Sequence, residues 1–535
     1  MSTITRRSVL GAAAGTAAAV LATGPARAAQ SSVRVAQPSG RRIAIIGSGY
    51  GGAVAARRLA EAGYSADLIE MGMDWERAAP VNGSVFTKMT APSARSMWFQ
   101  DHTEVPFSTI LGIPTSMPIK KGAGALGIER FAHMKVYVGH GLGGGSLVNG
   151  AMAVTPRRSF FEQVLPQVDA EEMYATYFPR ANSALHVAPP TQQMLDSKWY
   201  GFTKVAREQA ARAGFTTTQV PSVYDWSYMA QEAAGEVPKS GLDQEILYGN
   251  NHGKQDLTKT YLKAALATGR ITPIVMTEVT DLARRSDGSY RLSLRTINFD
   301  GDVVSTRTAV YDRVVLAAGS VGTARLLQRA QALGTLSGLS PAVGQQWGPN
   351  GNLMVARYLG LTPTGFSQSC MPAMGVNAWD DGPGSVFAEI APLPLGIETF
   401  TSNYLAVTNN PNFGTFGWDS SSASLTLDWD SAKAAPGVAA AKAVMDKINR
   451  ANGTCYRHDL FEGGKAFADY FSYHPLGGAV LGEATDLSGE LKGAPGVFVM
   501  DGSLIPAKIG VNPFVTITAL AERNIDRLLA AKRFA

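Results

Sequence analysis

A short apolar run, Ile43-Ala44-Ile45-Ile46, leads directly into Gly47-Ser48-Gly49-Tyr50-Gly51-Gly52. An isoleucine-rich run this short, ending in a glycine cluster, suits a strand buried on both faces. Val54 to Glu61 then reads as a helix closed by Gly63, and Ala66-Asp67-Leu68-Ile69-Glu70 as a second strand. Strand, tight turn, helix and strand within about thirty residues begin a doubly wound sheet. In such a turn Gly47 permits the reversal, Gly49 leaves bare backbone for a pyrophosphate, and Gly52 lets the helix pack on the sheet. The helix N-terminus faces the phosphates. Glu70 lies 18 residues beyond Gly52, where a carboxylate accepts hydrogen bonds from ribose hydroxyls and repels a 2′-phosphate, which disfavours NADP. This motif alone does not separate FAD from NAD.

Three further glycine clusters make that distinction. They are Gly139-His140-Gly141-Leu142-Gly143-Gly144-Gly145-Ser146 with Asn149, Gly150 and Met152; Ala317-Ala318-Gly319-Ser320-Val321-Gly322-Thr323-Ala324; and Val499-Met500-Asp501-Gly502-Ser503 followed by Asn512-Pro513-Phe514. A cofactor buried end to end needs separate stretches of close backbone. A flavin dinucleotide meets that description, and a nicotinamide dinucleotide needs no such set.

All four clusters, in this order, resemble the glucose–methanol–choline oxidoreductases, FAD enzymes that oxidise alcohols, and the likeness runs from about residue 41 to 535. The resemblance implies an α/β chain: a doubly wound Rossmann-like FAD-binding domain with an interleaved α+β substrate domain built on an antiparallel sheet. The FAD domain is expected from 40–75, 135–155, 250–345 and 470–535, and the substrate domain from 76–134, 156–249 and 346–469. It further implies Tyr50, Gly51 and Glu70 at the adenosine end and the Val279 backbone at the adenine. Gly145, Asn149, Gly150 and Met152 are expected to approach the flavin, with Gly502, Asn512 and Phe514 at the isoalloxazine and Asp501 among the other cofactor-binding residues.

Within the family, Asn149-Gly150-Ala151-Met152-Ala153-Val154, Phe387-Ala388-Glu389-Ile390-Ala391-Pro392, Tyr473-His474-Pro475-Leu476-Gly477-Gly478 and Gly510-Val511-Asn512-Pro513-Phe514-Val515-Thr516 are similar to the bacterial cholesterol oxidases that hold FAD non-covalently. The implied partners are a sterol, O₂ and, transiently, a lipid surface. Alcohol oxidation by a flavin needs a group at the hydroxyl and a positioned ring. His474 can hold the hydroxyl, and Asn512 can position substrate. A 5-en-3-one becomes a 4-en-3-one only if a base carries a proton from C4 to C6. Glu389, set among Phe387, Ile390, Pro392, Leu393 and Leu395, is placed where desolvation raises a carboxyl towards neutrality. The rival within the family is another alcohol oxidase or dehydrogenase, acting on a sugar, choline or an aryl alcohol. A rival of another class is a flavoprotein that binds sterol without turnover. No metal site is expected, and His140 leaves flavin attachment open.

The remaining features set the context. Hydrophobic residues at 45% and charged residues at 17% allow a large core and exclude global disorder. The net charge of +5 includes Arg6, Arg7 and Arg27, a bias too weak for nucleic-acid binding. Arg6-Arg7 before the apolar stretch Gly11 to Ala22 and the small residues of Ala26-Arg27-Ala28 read as a twin-arginine export signal over 1–28, hence a secreted protein. Cys370 and Cys455 are expected to be free thiols, and the chain is expected to act as a monomer. Phe107, Ile110, Leu111, Ile113 and Met117 read as a lid or as a buried loop, and Phe461-Glu462-Gly463-Gly464 as a second gate. Helices are expected over 197–213, 323–332 and 519–535, antiparallel strands over 271–300, and a second sheet over 385–430.

Overall fold

Ile43–Ile46 forms the middle strand of a five-stranded parallel sheet. In the computed structural model, which describes residues 42–535 except 111, 361, 381, 383 and 394–399, the order across the sheet is Val497–Val499, Arg313–Leu316, Ile43–Ile46, Ala66–Ile69, Ile271–Ile274. The export signal expected over 1–28 lies outside the described residues. All four residues of the central strand are buried, as a strand covered on both faces requires. Gly47, at φ +94°, turns the chain out of this strand, and the helix Tyr50–Glu61 starts at once. That helix packs against Phe514–Ala530 and Tyr261–Ala267. A three-stranded antiparallel sheet, Thr277–Arg284, Tyr290–Ile297 and Val303–Tyr311, packs on the helix Gly319–Ala332.

A second, seven-stranded sheet runs Cys455–Tyr456, Asn352–Tyr358, Thr401–Thr408, Val386–Ala391, Met374–Ala378, Thr216–Gln219, with Phe467–Ala468 beside Asn352–Tyr358. The long helix Ser431–Asn452 lies against Val386–Ala391 and Thr401–Thr408. Every residue of Thr401–Thr408 is buried, so its other face must also be covered, and there a cavity begins. The architecture is therefore α/β, a doubly wound parallel sheet with a second, antiparallel sheet, and the described residues form one compact unit.

Several local expectations shift. Ile271–Ile274 joins the parallel sheet instead of an antiparallel one, because strand direction is set by the neighbour and not by side-chain alternation. The helix after Arg313–Leu316 begins at Gly319, four residues early, through the φ +77° of that glycine. The last helix begins at Phe514, although Val515, Thr516, Ile517 and Thr518 are β-branched; burial of most of this turn outweighs their weak propensity. It ends at Ala530, not 535. Gly201–Arg212 is helical as expected, preceded by a single turn of 3₁₀-helix. Of the sheet expected over 385–430, Thr415–Asp419 and Ser424–Asp428 form a separate hairpin. Cys370 is buried, Cys455 is exposed, and both are free. Among the described residues no helix is long and apolar enough to cross a membrane, and no cluster of side chains could hold a metal ion.

Candidate active site

The four glycine segments converge on one cavity of about 740 Å³. The first turn contributes Gly47, Gly49, Tyr50 and Gly51, the second strand Glu70, and the second cluster Gly145, Asn149, Gly150 and Met152. Val279 comes from the antiparallel sheet, and Asp501, Gly502, His474, Asn512 and Phe514 come from the C-terminal segments. Gly52 is the exception: a Cβ there would lie 2.0 Å from Gly47 O, so it serves helix packing and not the cavity wall. A Cβ on Gly51 would lie 1.5 Å from Met500 O, and one on Gly47 would lie 2.3 Å from Ala317 O. These glycines hold the turn against neighbouring backbone. Gly49 and Gly145 differ, because a Cβ at either would meet nothing within 4 Å. They face open space.

The helix Tyr50–Glu61 has no side-chain N-cap, so its first N–H groups are available to an anion. Glu70 accepts from Ser48 Oγ at 2.5 Å, Ser48 N at 3.2 Å, Gly72 N at 2.9 Å and Gly141 N at 3.4 Å, a net of donors that fixes the carboxylate at the cavity edge. Tyr50 departs from its expected place with Glu70. Its ring stacks on Phe514, centroids 4.7 Å apart and planes 11° off parallel, and its hydroxyl accepts from Asn149 Nδ2 at 2.6 Å. It therefore belongs with Asn149 and Phe514, because the first helical residue points its side chain across to the start of the C-terminal helix. The Asp501 carboxylate is occupied within the protein, by Gly319 N at 3.0 Å, Thr323 Oγ1 at 2.6 Å, Ser503 N at 2.9 Å and Ser503 Oγ. It ties two turns together, and its side chain is not free for a ligand.

His474, Asn512 and Glu389 meet at one end of the cavity. The Asn512 amide nitrogen lies 3.3 Å from Glu389 Oε2 and 3.5 Å from His474 Nε2. Asn350, which the sequence reading missed, orients the histidine. Its Oδ1 accepts from Ile509 N at 2.7 Å and its Nδ2 donates to Val511 O at 2.7 Å, so the edge it turns to His474 Nδ1, 3.4 Å away, is N–H. Burial pushes the imidazole down to about 3, so it is neutral, and an amide N–H group faces each ring nitrogen, Asn350 Nδ2 at Nδ1 and Asn512 Nδ2 at Nε2. Glu389 is fully buried, on the strand Val386–Ala391 opposite Leu405. Desolvation pushes its carboxyl up to about 8, against the hydrogen bond from Asn512. Its Oε2 accepts from Asn512 Nδ2, and its Oε1 is unpartnered.

Lys254 was also missed. It is completely buried, and its ammonium donates to Leu147 O at 3.0 Å and Asn149 O at 2.6 Å, holding the loop that carries Asn149 and Gly150. Desolvation lowers it to about 7. No motif surrounds it; only its carbonyl partners, distant in sequence, give it a role. The Pro349-Asn350-Gly351 turn, in which Asn350 has φ +58°, was a legible signal for Asn350. Phe107 lines the cavity and stacks on Phe461, with centroids 5.8 Å apart, so the two apolar loops meet. Ile110 is buried and Met117 half-buried, Ile113 at the hairpin tip is 62% exposed, and Leu111 lies outside the described residues.

Models of GMC oxidoreductases match residues 117–346 and 417–521, and a model of the GMC oxidoreductase C-terminal region matches 350–462. The chain belongs to the GMC oxidoreductase family. It is 24% identical to a cholesterol oxidase of Mycobacterium tuberculosis strain H37Rv, over 90% of each chain. It is 23% identical to a cholesterol oxidase of Acinetobacter baumannii, over 91% of this chain and 94% of that one. Among solved structures it shares its fold with pyridoxine 4-oxidase from Mesorbium loti (TM-score 0.61, 14% identity, 92% of this chain and 99% of that). A fungal aryl-alcohol oxidase is similar too (TM-score 0.58, 14% identity, 93% and 100%).

FAD is the family's cofactor, and this cavity fits it. Gly49 and Gly145 leave open the space that side chains would fill, the uncapped helix offers N–H groups to phosphate, and Glu70 is fixed where a ribose would lie. His140, also in the wall, stacks on Trp98 at 4.3 Å, and burial lowers it to about 4.

Proposed function

We propose that this oxidoreductase oxidises the 3β-hydroxyl of cholesterol and related sterols, passes the electrons to O₂ to give hydrogen peroxide, and isomerises the 5-en-3-one to the 4-en-3-one. Bound FAD supplies the acceptor for the hydride. His474 Nε2 holds the substrate hydroxyl and takes its proton as the carbinol carbon gives up its hydride, leaving the ketone. Asn512, between His474 and Glu389, links the oxidation site to the proton carrier. Glu389, once ionised, takes a proton from C4 and returns it at C6.

The observation that carries this reading is a carboxyl pushed up to about 8, joined through one amide to a neutral histidine at the end of a largely apolar cavity. Similarity along most of the chain to two proteins named cholesterol oxidase supports the substrate class. We also propose that FAD is held non-covalently, that the Ile113 hairpin touches lipid during sterol uptake, and that Arg6-Arg7 directs export. The deciding experiment follows peroxide and conjugated enone in one cuvette with cholesterol. Formation of both supports the proposal; peroxide from an aryl alcohol or a sugar but not from cholesterol overturns it in favour of another alcohol oxidase.

A further inference from the structure

The strand Thr401–Thr408 presents alternate side chains to opposite faces. Tyr404 turns away from the cavity and receives Arg357 Nη1 at 3.1 Å on its hydroxyl. Asn403 and Leu405 face the cavity. Leu405 suits an apolar chamber, and Asn403 does not. Its side chain sits in a residue only 1% exposed, and neither its amide nitrogen nor its amide oxygen has a hydrogen-bond partner. Its neighbours across the sheet are Ala356 and Ala391, which offer no side-chain polar group. The nearby wall includes Met354, Pro392 and Leu405. A buried amide with both ends unpaired opposes folding, and such groups in native proteins call for a partner or a function.

Register gives its distance from the chemistry. Leu405 pairs with Glu389 and Asn403 with Ala391, so Asn403 stands two residues, about 7 Å, further along the strand. The reacting end already has its own amide in Asn512. Asn403 is a second polar point in the same cavity, two residues along the strand from the Leu405–Glu389 pair.

We infer that the substrate carries a second hydrogen-bonding group, a hydroxyl or a carbonyl away from the alcohol that is oxidised, and that Asn403 receives it. This rests on the sterol-oxidase reading and narrows it, from sterols in general to 3β-hydroxysteroids oxygenated at a second position. An amide suits either group: Nδ2 donates to a carbonyl, and the two ends together serve a hydroxyl. A substrate that is hydrocarbon along this stretch leaves the amide unpaired, and a site built around a polar contact discriminates against such a ligand.

The test measures kcat/KM for peroxide release by the FAD-loaded enzyme and by Asn403→Leu. The substrates are cholesterol and a panel of 3β-hydroxysteroids bearing one hydroxyl or oxo group at successive positions on rings C and D and the side chain. Leucine keeps the branched four-heavy-atom shape of asparagine, is somewhat bulkier, and removes both polar ends. At least one oxygenated member should lose about tenfold or more relative to cholesterol in the variant, with cholesterol itself improved. Asn403→Ser, with a shorter polar group, should shift the same ratio less, and it serves as the test if the leucine variant does not retain flavin. A ratio unchanged in every member, for the variant that retains flavin, overturns the inference and leaves Asn403 as the seat of a water molecule. Failure of the wild-type enzyme to release peroxide from any steroid in the panel overturns the sterol reading itself, and this inference with it.

Discussion

Replacing Glu389 by Gln should separate two reactions and, independently, remove a pH-dependent destabilisation. The carboxyl moves from its ordinary 4.5 up to about 8 because it is desolvated with a single hydrogen bond from Asn512. That displacement corresponds to about 5 kcal/mol of preference for the neutral form in the folded chain. Below pH 4.5 both folded and unfolded chains hold the proton, and Glu389 adds no pH dependence. Between 4.5 and 8 the unfolded chain ionises and the folded chain does not, so folding loses up to about 1.4 kcal/mol per pH unit. Above 8 both are ionised and the loss levels off. Glutamine ionises in neither state. The stability advantage of Glu389→Gln over wild type should therefore grow from pH 5 to pH 8 and then flatten, as read by denaturant midpoints across that range. In activity, wild-type isomerisation should rise towards pH 8 as the carboxylate forms. The variant should lose about 10²–10⁴ in enone formation while peroxide release continues and the 5-en-3-one accumulates. If peroxide and enone fall together, Glu389 acts on the hydroxyl instead. If the stability gap is flat with pH, its burial does not govern its titration, and the argument fails.

His474→Ala should lower kcat for peroxide formation by about 10²–10⁴ with the flavin absorbance retained; an unchanged kcat removes His474 from the chemistry. Gly49→Ala should leave a folded protein that purifies without yellow colour, because the new methyl group enters open cavity, whereas Gly51→Ala should not fold, its Cβ falling 1.5 Å from Met500 O. Equal flavin content in Gly49→Ala and wild type counts against the phosphate-cradle assignment. Acid precipitation should release all flavin to the supernatant; colour left on the pellet shows a covalent link, with His140 the first residue to examine. Ile113→Asp, at the 62% exposed hairpin tip, should weaken turnover of sterol in vesicles more than of detergent-dispersed sterol, and equal losses reject lipid contact.

The sequence by itself determined the elements whose signals are local. Gly47 and Gly49 mark a turn after an apolar strand because only glycine tolerates φ +94° at the first position and leaves bare backbone at the second. The four glycine clusters announced a cofactor touched from four places, and Glu389 among apolar neighbours announced a desolvated carboxyl. Tertiary structure decided what local pattern cannot encode. Ile271–Ile274 became a parallel strand because Ala66–Ile69 was its neighbour. Tyr50 joined Asn149 and Phe514, and Glu389 was brought to Asn512, because contacts between residues roughly 100 or more positions apart are set by how the two sheets pack. Lys254 carries no motif, and the turn that marks Asn350 does not name its partner. Each gains its role only where the fold brings the carbonyls of Leu147 and Asn149, or the ring of His474, within reach of its side chain. Asn403 is the limiting case: in sequence it is one polar residue in a strand, and only the burial of both faces of that strand leaves its amide unpaired against the cavity.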